Sequence, residues 1–599
     1  MPMTSVSGFH RLLLIAFIVL LSACGGGGSG GSGGASVSTE VPPVIPEPPP
    51  PVIPEPPPAV FSPSSTEAAR FLSQASFGPD TASINEVVAL GLEGWLVDQF
   101  QKPASLYLDT VLAGFPEDGN FLQPNGQPLP EVLFLPSDAF WKNAIDGEDQ
   151  LRQRMAFALS QILVVSAEST LARTPQTIAH YADILTEGAF GNYRDLLQNV
   201  TYSPAMAIYL TYLKNEKADP ATGRVPDENY AREILQLFTL GLVELNPDGT
   251  PVKNPDGSLI ELFDNSDITE LAKVFTGLSY SGTGFRTPRL LLPLAAHYTP
   301  LSVFERFHST EAKNFLNVSI PEFTGGAQTV DLALDGIFAH PNVGPFVGRQ
   351  LIQRFVTSAP TPAYVQRVAA AFDSGSYLLP SGTLIGSNQR GDLQPVIAAI
   401  LLDSEARDIA VRENPQFGKL REPVLRFTHW ARAFEINSAD ASNEPLLHNS
   451  NRTNLLGQHP YRSPSVFNFY RPGYIAPGTE TGAAGLTAPE LQITNAGSIV
   501  GYPNFITTFA LRTPTQQGDQ QPAAFVPDYS AQVALAADTE MLLDNLDLLL
   551  THGTLETETR TRITEILASL EPENEGDLLL RAQLASVAVM TSPEYIVLR

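Results

Sequence analysis

Residues 226–241 read PDENYAREILQLFTLG and predict an α-helix that begins with a cluster of polar side chains. Proline near the start, acidic residues in the first turn and glycine at the end are each typical of helix boundaries. Glu228 and Arg232 are four residues apart and can form an ion pair on one helix face. The cluster has a second interpretation, because Asp227, Glu228 and Glu233 could bind a hard cation or supply an acid and a base.

A helical spacing of apolar residues continues on both sides of this segment, from Thr66 onward. Between residues 149 and 166 apolar side chains recur at three- and four-residue intervals and form one stripe. Similar stripes at 541–549 and 578–587 predict two more amphipathic helices. Residues 440–530 are rich in Pro, Gly, Asn and Gln and predict long ordered loops across the helices. The sequence therefore predicts a mainly α fold: one large helical unit with turn-rich insertions and a few short β-hairpins.

Two of the insertions carry the same turn sequence, Asn-Pro-Asp-Gly, at 246–249 and 254–257. Proline presets φ at the second turn position, and glycine accepts the positive φ that follows. The residues between the two turns, 250–253, are interpreted as a short hairpin. An EF-hand loop would need a glutamate at its twelfth position, but the twelfth residue from Asn246 is Gly257, so calcium is not predicted here.

The composition limits the classes of partner and site. Thirty-six basic and 63 acidic residues among 599 give a formal charge of −27. This charge repels phosphate backbones, so no nucleic acid partner is expected. The one cysteine is Cys24, so the chain beyond it cannot form a disulfide, a zinc–thiolate site or a cysteine nucleophile. No dinucleotide-binding or phosphate-loop motif occurs in the body, so the sequence specifies no cofactor.

The first residues are typical of an exported bacterial lipoprotein. A His-Arg pair precedes an apolar run, 12–21, which is too short to span a bilayer but suits a signal peptide. The following Leu-Ser-Ala-Cys resembles a lipobox, in which the chain is cut before the cysteine and the sulfur receives a lipid. We therefore expect a signal peptide over residues 1–23 and a membrane anchor on Cys24. Gly25, in place of aspartate, favours the outer membrane, with the periplasmic and surface faces both open.

Residues 24–63 are interpreted as a tether between this anchor and the body. The tether begins with a run of glycine and serine, which is a flexible coil. The octapeptide PVIPEPPP then occurs twice, at 43–50 and 51–58. Proline keeps this part extended as polyproline II, and sixteen such residues span about 50 Å. We expect a spacer rather than a ligand for a proline-binding domain, which leaves the body at residues 64–599.

Several motifs resemble the bacterial domain of unknown function 1800 family. The signature is PDENYAREILQLFTLGL, from Pro226 onward. Seven other blocks resemble the family in the same order: AARFLSQASFG (68–78), EGAFGNYRDLL (187–197), HPNVGPFVGRQLIQRFV (340–356), RGDLQPVIAAIL (390–401), GKLREPVLRF (418–427), GQHPYRSPSVFNFYRPGY (457–474) and SPEYIVLR (592–599). The resemblance implies one large, mostly helical unit and no stated activity. Genes of the family often lie beside a sulfatase-like family, which implies a sulfatase-like partner protein or a polysaccharide.

The chain departs from the family pattern at one histidine. That pattern commonly has His-Asp followed by a lysine, whereas this chain reads HSTEAK from His308 to Lys313. The missing aspartate weakens a metal site at His308 unless Glu311 replaces it. His340 precedes Asn342, which is expected to cap the next helix, so the ring is expected to hydrogen-bond locally. Neither histidine has the helical spacing of paired zinc ligands.

Two classes of function remain open. The first is a surface binding, scaffold or assembly protein, which the anchor and the tether favour. The second is a hydrolase or transferase that acts on envelope or extracellular polysaccharide, with or without a metal. Its candidate residues are Asp227, Glu228, Asn229, Arg232, Glu233, His308 and His340. An enzyme requires these side chains to converge, and we expect His308 to lie within contact range of residues 227–233.

Overall fold

The computed structural model describes residues 62–117, 121–123, 127–436, 444–513 and 525–599. The predicted signal peptide, the lipid site at Cys24 and all but the last two residues of the predicted tether lie outside these ranges. They therefore stay predictions. From residue 62 onward the described chain belongs to one compact unit.

Helices account for most of the described body. The first half of the chain contains α1 (Ser65–Ala75), α2 (Thr81–Gln101), α3 (Leu108–Ala113), α4 (Leu135–Asp146), α5 (Gln150–Ser160), α6 (Pro175–Gly188), α7 (Tyr193–Thr201), α8 (Pro204–Tyr209), α9 (Asn229–Glu233) and α10 (Asn265–Ala272). The second half contains α11 (Gly326–Phe338), α12 (Val343–Phe355), α13 (Pro362–Ser374), α14 (Leu393–Leu401), α15 (Ser404–Arg407), α16 (Ile409–Arg412), α17 (Pro423–Ala433), α18 (Pro445–His448), α19 (Glu480–Ala483), α20 (Ala496–Ala510), α21 (Ser530–Leu535), α22 (Thr539–Leu546), α23 (Thr557–Ala568), α24 (Glu575–Met590) and α25 (Pro593–Ile596). Helices α5, α22 and α24 lie where the apolar spacing near 149–166, 541–549 and 578–587 predicts helices. The predicted stripes are the buried faces only in part, because α5 is buried on nearly all sides and Leu580 of α24 is 40% exposed.

In the described residues, β-structure is limited to four antiparallel sheets of two strands each. The pairs are β1 (Leu278–Ser279) with β2 (Ser302–Val303), β3 (Lys313–Phe315) with β4 (Val318–Ile320), β5 (Tyr377–Leu378) with β6 (Leu384–Ile385), and β7 (Lys419–Leu420) with β8 (Val597–Leu598). The prediction of a mainly α fold with a few short hairpins is confirmed. The last pair is not a hairpin, because it joins the end of the chain to a segment near residue 420.

Local sequence explains where the first helices begin and bend. The Ser64 side chain accepts a hydrogen bond from the Glu67 amide, and the Glu67 carboxylate accepts one from the Ser64 amide, which is a capping box at the start of α1. Asp80 and Ser83 form the same motif before α2. Gly91 has φ 74° and interrupts α2 with a kink, since a left-handed conformation is open to glycine at little steric cost.

The helix predicted for residues 226–241 is present with a later start and an irregular second half. It begins as α9 at Asn229, widens into a π-helical segment at Ile234–Thr239, and ends at Gly241 with φ 81°. A Cβ atom at position 241 would lie 2.9 Å from the Phe346 ring, so this turn combines a positive φ with close packing. The boundary glycine was therefore interpreted correctly, whereas the π-helical widening has no signal in the sequence.

The prediction of loops throughout 440–530 is wrong for Ala496–Ala510, which form the 15-residue helix α20. Asn495 and Ser498 cap this helix reciprocally, and Pro503 lies inside it. The high proline and glycine content of this region is typical of loops and hides the helical spacing of the apolar residues in α20. Around α20, residues 444–495 consist mainly of loops with short helical turns, as expected.

The two Asn-Pro-Asp-Gly turns are formed as predicted. The Gly249 amide donates to the Asn246 oxygen and the Gly257 amide donates to the Asn254 oxygen, each at 2.9 Å. Residues 250–253 do not form a separate hairpin, because isolated bridges pair them with Leu245 on one side and Leu259 on the other. The segment is therefore the shared middle of two successive reverse turns.

The hydrophobic core is continuous, which fits the single helical unit. One cluster of buried apolar side chains extends from Ala68 to Tyr595. The three tryptophans, Trp95, Trp141 and Trp430, are at most 1% exposed within it. None of the described helices combines the length and the apolar character needed to cross a bilayer.

Candidate functional site

The polar residues at the start of α9 form local hydrogen bonds. The Asp227 carboxylate accepts from the Asn229 amide at 2.9 Å and from the Thr211 hydroxyl at 3.0 Å. Glu228 pairs with Arg232 at 3.5 Å, as the four-residue spacing predicts, and accepts from the Thr269 hydroxyl at 2.8 Å. These bonds attach α9 to the preceding loop and to α10. The cluster therefore has a complete structural role at the start of a helix.

Glu228→Gln is expected to change the free energy of unfolding by less than about 1 kcal/mol, because exposed ion pairs contribute about 0–1 kcal/mol. The side chains of Glu228 and Arg232 are 34% and 41% exposed, so water screens the pair. Urea denaturation of both proteins measures the difference. A decrease of several kcal/mol in the free energy of unfolding would contradict the conclusion that water screens this ion pair.

Glu233 differs from its neighbours because it is 8% exposed and its Oε2 atom has no hydrogen-bond partner among the described residues. Burial raises the pKa of this carboxyl group, and Arg232 lowers it in part. The nearby Tyr209 has its pKa raised to about 12 by burial and by Glu233. Glu233 is thus the one candidate carboxylate with a perturbed environment, on the buried side of α9.

His308 has no described bond to the start of α9, so its expected contact with residues 227–233 stays a prediction. Its Nδ1 atom lies 2.9 Å from the Thr276 carbonyl oxygen, and its buried Nε2 atom has no described partner. Asn215 connects the two places, because its main-chain oxygen accepts from the Gly277 amide and its side chain accepts from the Asp227 amide. No described hydrogen bond or ion pair joins His308 directly to residues 227–233.

Glu311 does not take the place of the aspartate that the family pattern would put beside His308. Its carboxylate pairs with Lys273 at 3.0 Å. Lys313 is fully buried and donates to the carbonyl oxygens of Ser309 and Glu311. Burial and the nearby Lys273 lower the pKa of Lys313 to about 8. The turn from His308 to Lys313 is therefore tied together by the lysine rather than by a carboxylate on the histidine.

His340 lies beyond the far end of the helical segment that begins at α9. Its Nδ1 atom accepts from the Asn342 amide at 3.1 Å, which confirms the expected local hydrogen bond. The expectation that Asn342 caps α12 is wrong, because its side chain forms no capping bond there. It bonds to Leu240, Val243 and Leu245 instead, and so satisfies backbone groups after the preceding helical segment. His340 and Asp227 consequently lie at opposite ends of residues 229–241.

The candidate residues do not form a metal centre in the described part of the chain. Across residues 62–117, 121–123, 127–436, 444–513 and 525–599, no group of three or more His, Cys, Asp or Glu side chains is arranged to hold an ion. No described hydrogen bond or ion pair joins the polar residues at the start of α9, His308 and His340 directly to one another, and most of their polar atoms bond to close neighbours.

Buried histidines predict how stability depends on pH. Burial lowers the pKa of seven described histidines: His180, His297, His308, His340, His429, His459 and His552. For His459 and His297 the pKa values fall to about 3 and about 4. The unfolded chain binds a proton at each of these rings near pH 6.5, whereas the folded chain does not. The free energy of unfolding should therefore decrease as the pH falls below 6.5.

The expected slope is about 1.4 kcal/mol per pH unit for each histidine that stays neutral when folded. Asp183 offsets the effect of one histidine on the pH dependence of stability, because burial raises its pKa to about 7 and the folded chain takes up a proton there as the pH falls. Urea denaturation between pH 7 and pH 5 measures the net slope. His459→Asn removes one such histidine and should reduce the slope by about 1.4 kcal/mol per pH unit. A free energy of unfolding that rises continuously toward pH 5 would contradict the conclusion that these histidines stay neutral in the folded protein.

A different place in the molecule has the form of a ligand site. A cleft of about 640 Å³ lies between α1, the kinked part of α2, the β5–β6 hairpin and the chain after α14. We call it the arginine groove. Its apolar lining residues are Pro63, Leu90, Leu92, Val97, Leu379, Pro380 and Leu402, and its charged ones are Glu67, Arg70, Glu93 and Arg407. Ligand pockets of 300–1,000 Å³ with apolar walls and few charges are typical of small-molecule sites.

The two arginines of the groove are the unusual feature. Arg70 is 5% exposed, and its Nη2 atom has no hydrogen-bond partner in the described chain. Its Nε atom donates to the main-chain oxygen of Arg599 at 2.8 Å. Arg407 is half-buried, stacks over the Phe71 ring at 5.3 Å and donates to Gln74, while its buried Nε atom is unpartnered. Each guanidinium group therefore keeps a buried donor without an acceptor, which is costly in a folded protein.

Glu67 is a nearby carboxylate that raises the pKa of both arginines in part, although no described ion pair joins it to either of them. Burial and the nearby Arg70 lower the pKa of Arg407 to about 9. Burial and the nearby Arg412 lower the pKa of Arg70 to about 10. Both groups stay protonated at neutral pH. In contrast, Arg367 pairs with Asp403 at 2.7 Å; among the described residues, no such pair is found for Arg70 or Arg407.

The carboxylates that line the groove are engaged elsewhere. Glu67 accepts from the Ser64 amide and hydroxyl at 2.8 Å each. Glu93 accepts from the Ser381 amide at 3.1 Å, a bond that links α2 to the β5–β6 hairpin. The groove thus combines an aliphatic wall with two cations that attract an external anion.

Sequence reasoning missed this groove. Arg70 lies within the block AARFLSQASFG, where its spacing does not distinguish it from a surface arginine. The available signal was an arginine between buried apolar residues of a helix, Ala69 and Phe71. Arg407 lies in the four-residue helix α15, and its contact with Gln74 spans 333 positions. Such a long-range contact cannot be read from residue spacing.

The comparison with protein families extends over nearly the whole described body. A family model described as Protein of unknown function (DUF1800) matches residues 70–597. The chain belongs to the DUF1800 family. No curated protein and no solved structure matches it. The DUF1800 match begins at Arg70 and includes both arginines of the groove as well as α9 and His308.

Three of the DUF1800-like blocks meet in a buried charge network. Lys419, from the block 418–427, lies 3.4 Å from Glu422 and 3.3 Å from Glu490. Its ammonium group also donates to the carbonyl oxygens of Gln353 and Arg354, in the block 340–356, at 2.8 Å each. These side chains are at most 2% exposed where they form the ion pairs. The network therefore joins segments that are distant in the sequence.

Glu422 receives further donors from neighbouring segments. Gln161, which follows α5, donates at 2.6 Å, and Gln458, from the block 457–474, donates at 2.8 Å. Burial raises the pKa of Glu422, but Lys419 and Arg154 hold it below its usual value. The adjoining cavity measures about 10 Å³, which is enough for about one water molecule. In the DUF1800 chain these blocks thus build the core, and the arginine groove is the better candidate for a ligand.

Proposed function

We propose that this protein is an exported, lipid-anchored binding protein of the bacterial envelope, and that its body holds an anionic ligand in the arginine groove. The supporting observation is that Arg70 and Arg407 line a largely apolar cleft, and that each keeps a guanidinium donor without a hydrogen-bond partner among the described residues. An unpaired buried charge lowers the stability of a protein. Such a feature is typical of functional sites, where stability is sacrificed for binding.

Binding is better supported than catalysis by the positions of the candidate residues. No described hydrogen bond joins the start of α9, His308 and His340 directly, and the polar side chains at the start of α9 mostly complete local hydrogen bonds. A hydrolase or transferase would need a nucleophile, a base and charge-stabilising donors within reach of one reacting atom. The enzyme alternative therefore lacks a convergent site of this kind in the described residues.

The membrane anchor is the second part of the proposal and rests on the sequence around Cys24. Cys24→Ser should abolish incorporation of radiolabelled palmitate and move the protein from the membrane to the soluble fraction of the native host. Arg407→Met is the control, since it should keep the label and the membrane location while changing the groove. Membrane retention of the Cys24→Ser protein would contradict the anchor.

The partners implied by the family resemblance, a sulfatase-like protein or a polysaccharide, stay within this proposal, because sulfate groups match the charge of the groove. Thermal unfolding with acetate, sulfate, glucose 6-sulfate and octanoate, each in excess, tests anion binding. A ligand that binds only the folded chain raises its stability with concentration. At least one anion should raise the Tm of the wild type and not that of Arg407→Met. Equal responses of the two proteins to all four anions would contradict binding in the groove.

A further inference from the structure

We infer that the ligand of the arginine groove is a single-chain aliphatic carboxylate, with its head group at Arg70 and Arg407 and its hydrocarbon tail along α2 and the β5–β6 hairpin. This inference rests on the proposed function and specifies the ligand of that same site. Four observations support it: the chemistry of the wall, the donors at the charged end, the net charge of the chain and the volume of the cleft.

The wall of the groove is aliphatic. Leu90 and Leu92 line it on α2, and Leu379 and Leu402 line it on the opposite side. None of its described lining residues is aromatic. Grooves that bind proline-rich peptides are lined by aromatic rings. Leucine and proline side chains instead bury a hydrocarbon chain, at about 0.8 kcal/mol per methylene.

Two apolar side chains of this wall are exposed in the ligand-free protein. Leu90 is 42% exposed and Val97 is 37% exposed, although both line a cleft. A ligand that fills about 640 Å³ would remove this apolar surface from water. A small inorganic anion would leave most of the cleft filled with water and both side chains exposed to solvent. The tail therefore accounts for a part of the site that the arginines alone do not explain.

The charged end of the groove matches a carboxylate. Both guanidinium groups belong to residues that line the groove, and one buried donor of each, Nη2 of Arg70 and Nε of Arg407, has no partner among the described residues. A planar carboxylate has two oxygens and can accept from both. The nearby Glu67 is already bonded to Ser64, and Arg412 adds further positive charge. The head-group position is thus positively charged, because Arg70, Arg407 and Arg412 together outnumber the one nearby acid, Glu67.

The net charge of the chain favours a ligand with a single negative charge. The formal charge of −27 repels polyanions and anionic membrane surfaces over long distances. A monocarboxylate carries one negative charge, so it is repelled less than a polyanion. Burial of its hydrocarbon tail favours binding and does not depend on charge. The two arginines on an otherwise acidic surface therefore favour a small amphiphile with one negative charge over a polyanion.

The test is isothermal titration calorimetry of residues 24–599 carrying Cys24→Ser, so that the protein bears no lipid of its own. Octanoate, decanoate and dodecanoate are titrated below their micelle concentrations, with acetate and dodecanol as controls. The affinity should rise about three- to fourfold with each added methylene until the groove is filled. Arg407→Met should weaken dodecanoate binding at least tenfold and leave dodecanol binding unchanged, while Arg407→Lys should give an intermediate affinity.

Each other outcome has a definite meaning. Anion binding that depends on Arg407 but not on chain length would overturn the aliphatic ligand and leave the proposed function standing. Absence of binding by every anion would overturn both. Dodecanol binding as tight as that of dodecanoate would show an apolar cleft without a head-group site. A tenfold higher affinity for dodecanoate after removal of residues 24–61 would show that the chain's own N-terminal segment occupies the groove. A dimer that dodecanoate dissociates would show that a second copy of the chain occupies it. Either result would overturn the aliphatic ligand as the natural occupant.

Discussion

Glu422→Ala is expected to lower the free energy of unfolding by about 3–5 kcal/mol, the largest effect of any single change considered for this protein. The carboxylate of Glu422 is fully buried, lies 3.4 Å from the ammonium group of Lys419 and accepts from Gln161 and Gln458. Its removal leaves Lys419 with one acidic neighbour, Glu490, and leaves two buried amides without their acceptor. Guanidinium denaturation monitored by tryptophan fluorescence measures the loss.

Two further variants calibrate this result. Glu322→Ala removes an exposed glutamate and should change the free energy of unfolding by less than about 0.5 kcal/mol. Glu422→Gln keeps an oxygen acceptor for Gln161 or Gln458 and should fall between the two alanine variants. If Glu422→Ala cost less than 1 kcal/mol, the charge network could not be what holds the three blocks together.

Arg407→Met is expected to raise the stability of the protein without added ligand by about 1–2 kcal/mol while it weakens dodecanoate binding at least tenfold. Methionine has a similar length, and replacing buried charges with apolar side chains of similar volume is often neutral or stabilising. The change also removes the repulsion between Arg407 and Arg70. It removes the hydrogen bond to Gln74 and the stacking on Phe71, so the expected gain is smaller than the full cost of burying a charge.

The matched control is Arg367→Met on the neighbouring helix α13. Arg367 forms two hydrogen bonds to Asp403 and one to Glu405, so its removal leaves the 6% exposed Asp403 unpaired. This variant should therefore be less stable than the wild type. Opposite signs for the two substitutions, measured by urea denaturation without ligand, distinguish a binding arginine from a structural one. A loss of stability in Arg407→Met as large as that in Arg367→Met would place Arg407 among the structural residues.

Much of the helical architecture could be predicted from local sequence. The stripes that became α5, α22 and α24 depend on the 3.6-residue period, and Gly241 and Gly249 marked their turns by a conformation that favours glycine. Helix α20 was missed because Pro503 and the surrounding composition resemble a loop. The pairing of β7 with β8 joins Lys419 to Leu598 and has no local signal.

The candidate site was less accessible to sequence reasoning than the fold. The residues at the start of α9 stand out because acids and amides are adjacent there, yet their adjacency is explained by hydrogen bonds at a helix start. The arginine groove instead depends on Arg70 and Arg407, each of which is unremarkable among its sequence neighbours. Only the fold places both guanidinium groups beside the aliphatic wall of α2.

A crystal structure of residues 24–599 carrying Cys24→Ser, with bound 12-bromododecanoate, would test the central claim most directly. Anomalous scattering locates the bromine at the end of the tail, and the electron density shows the carboxylate. The expected result is a carboxylate that accepts from Arg70 and Arg407, with bromine against the apolar wall near Leu90 and Leu379. A bromine peak at any other surface, with the groove free of density, would contradict the assignment of the arginine groove as the ligand site.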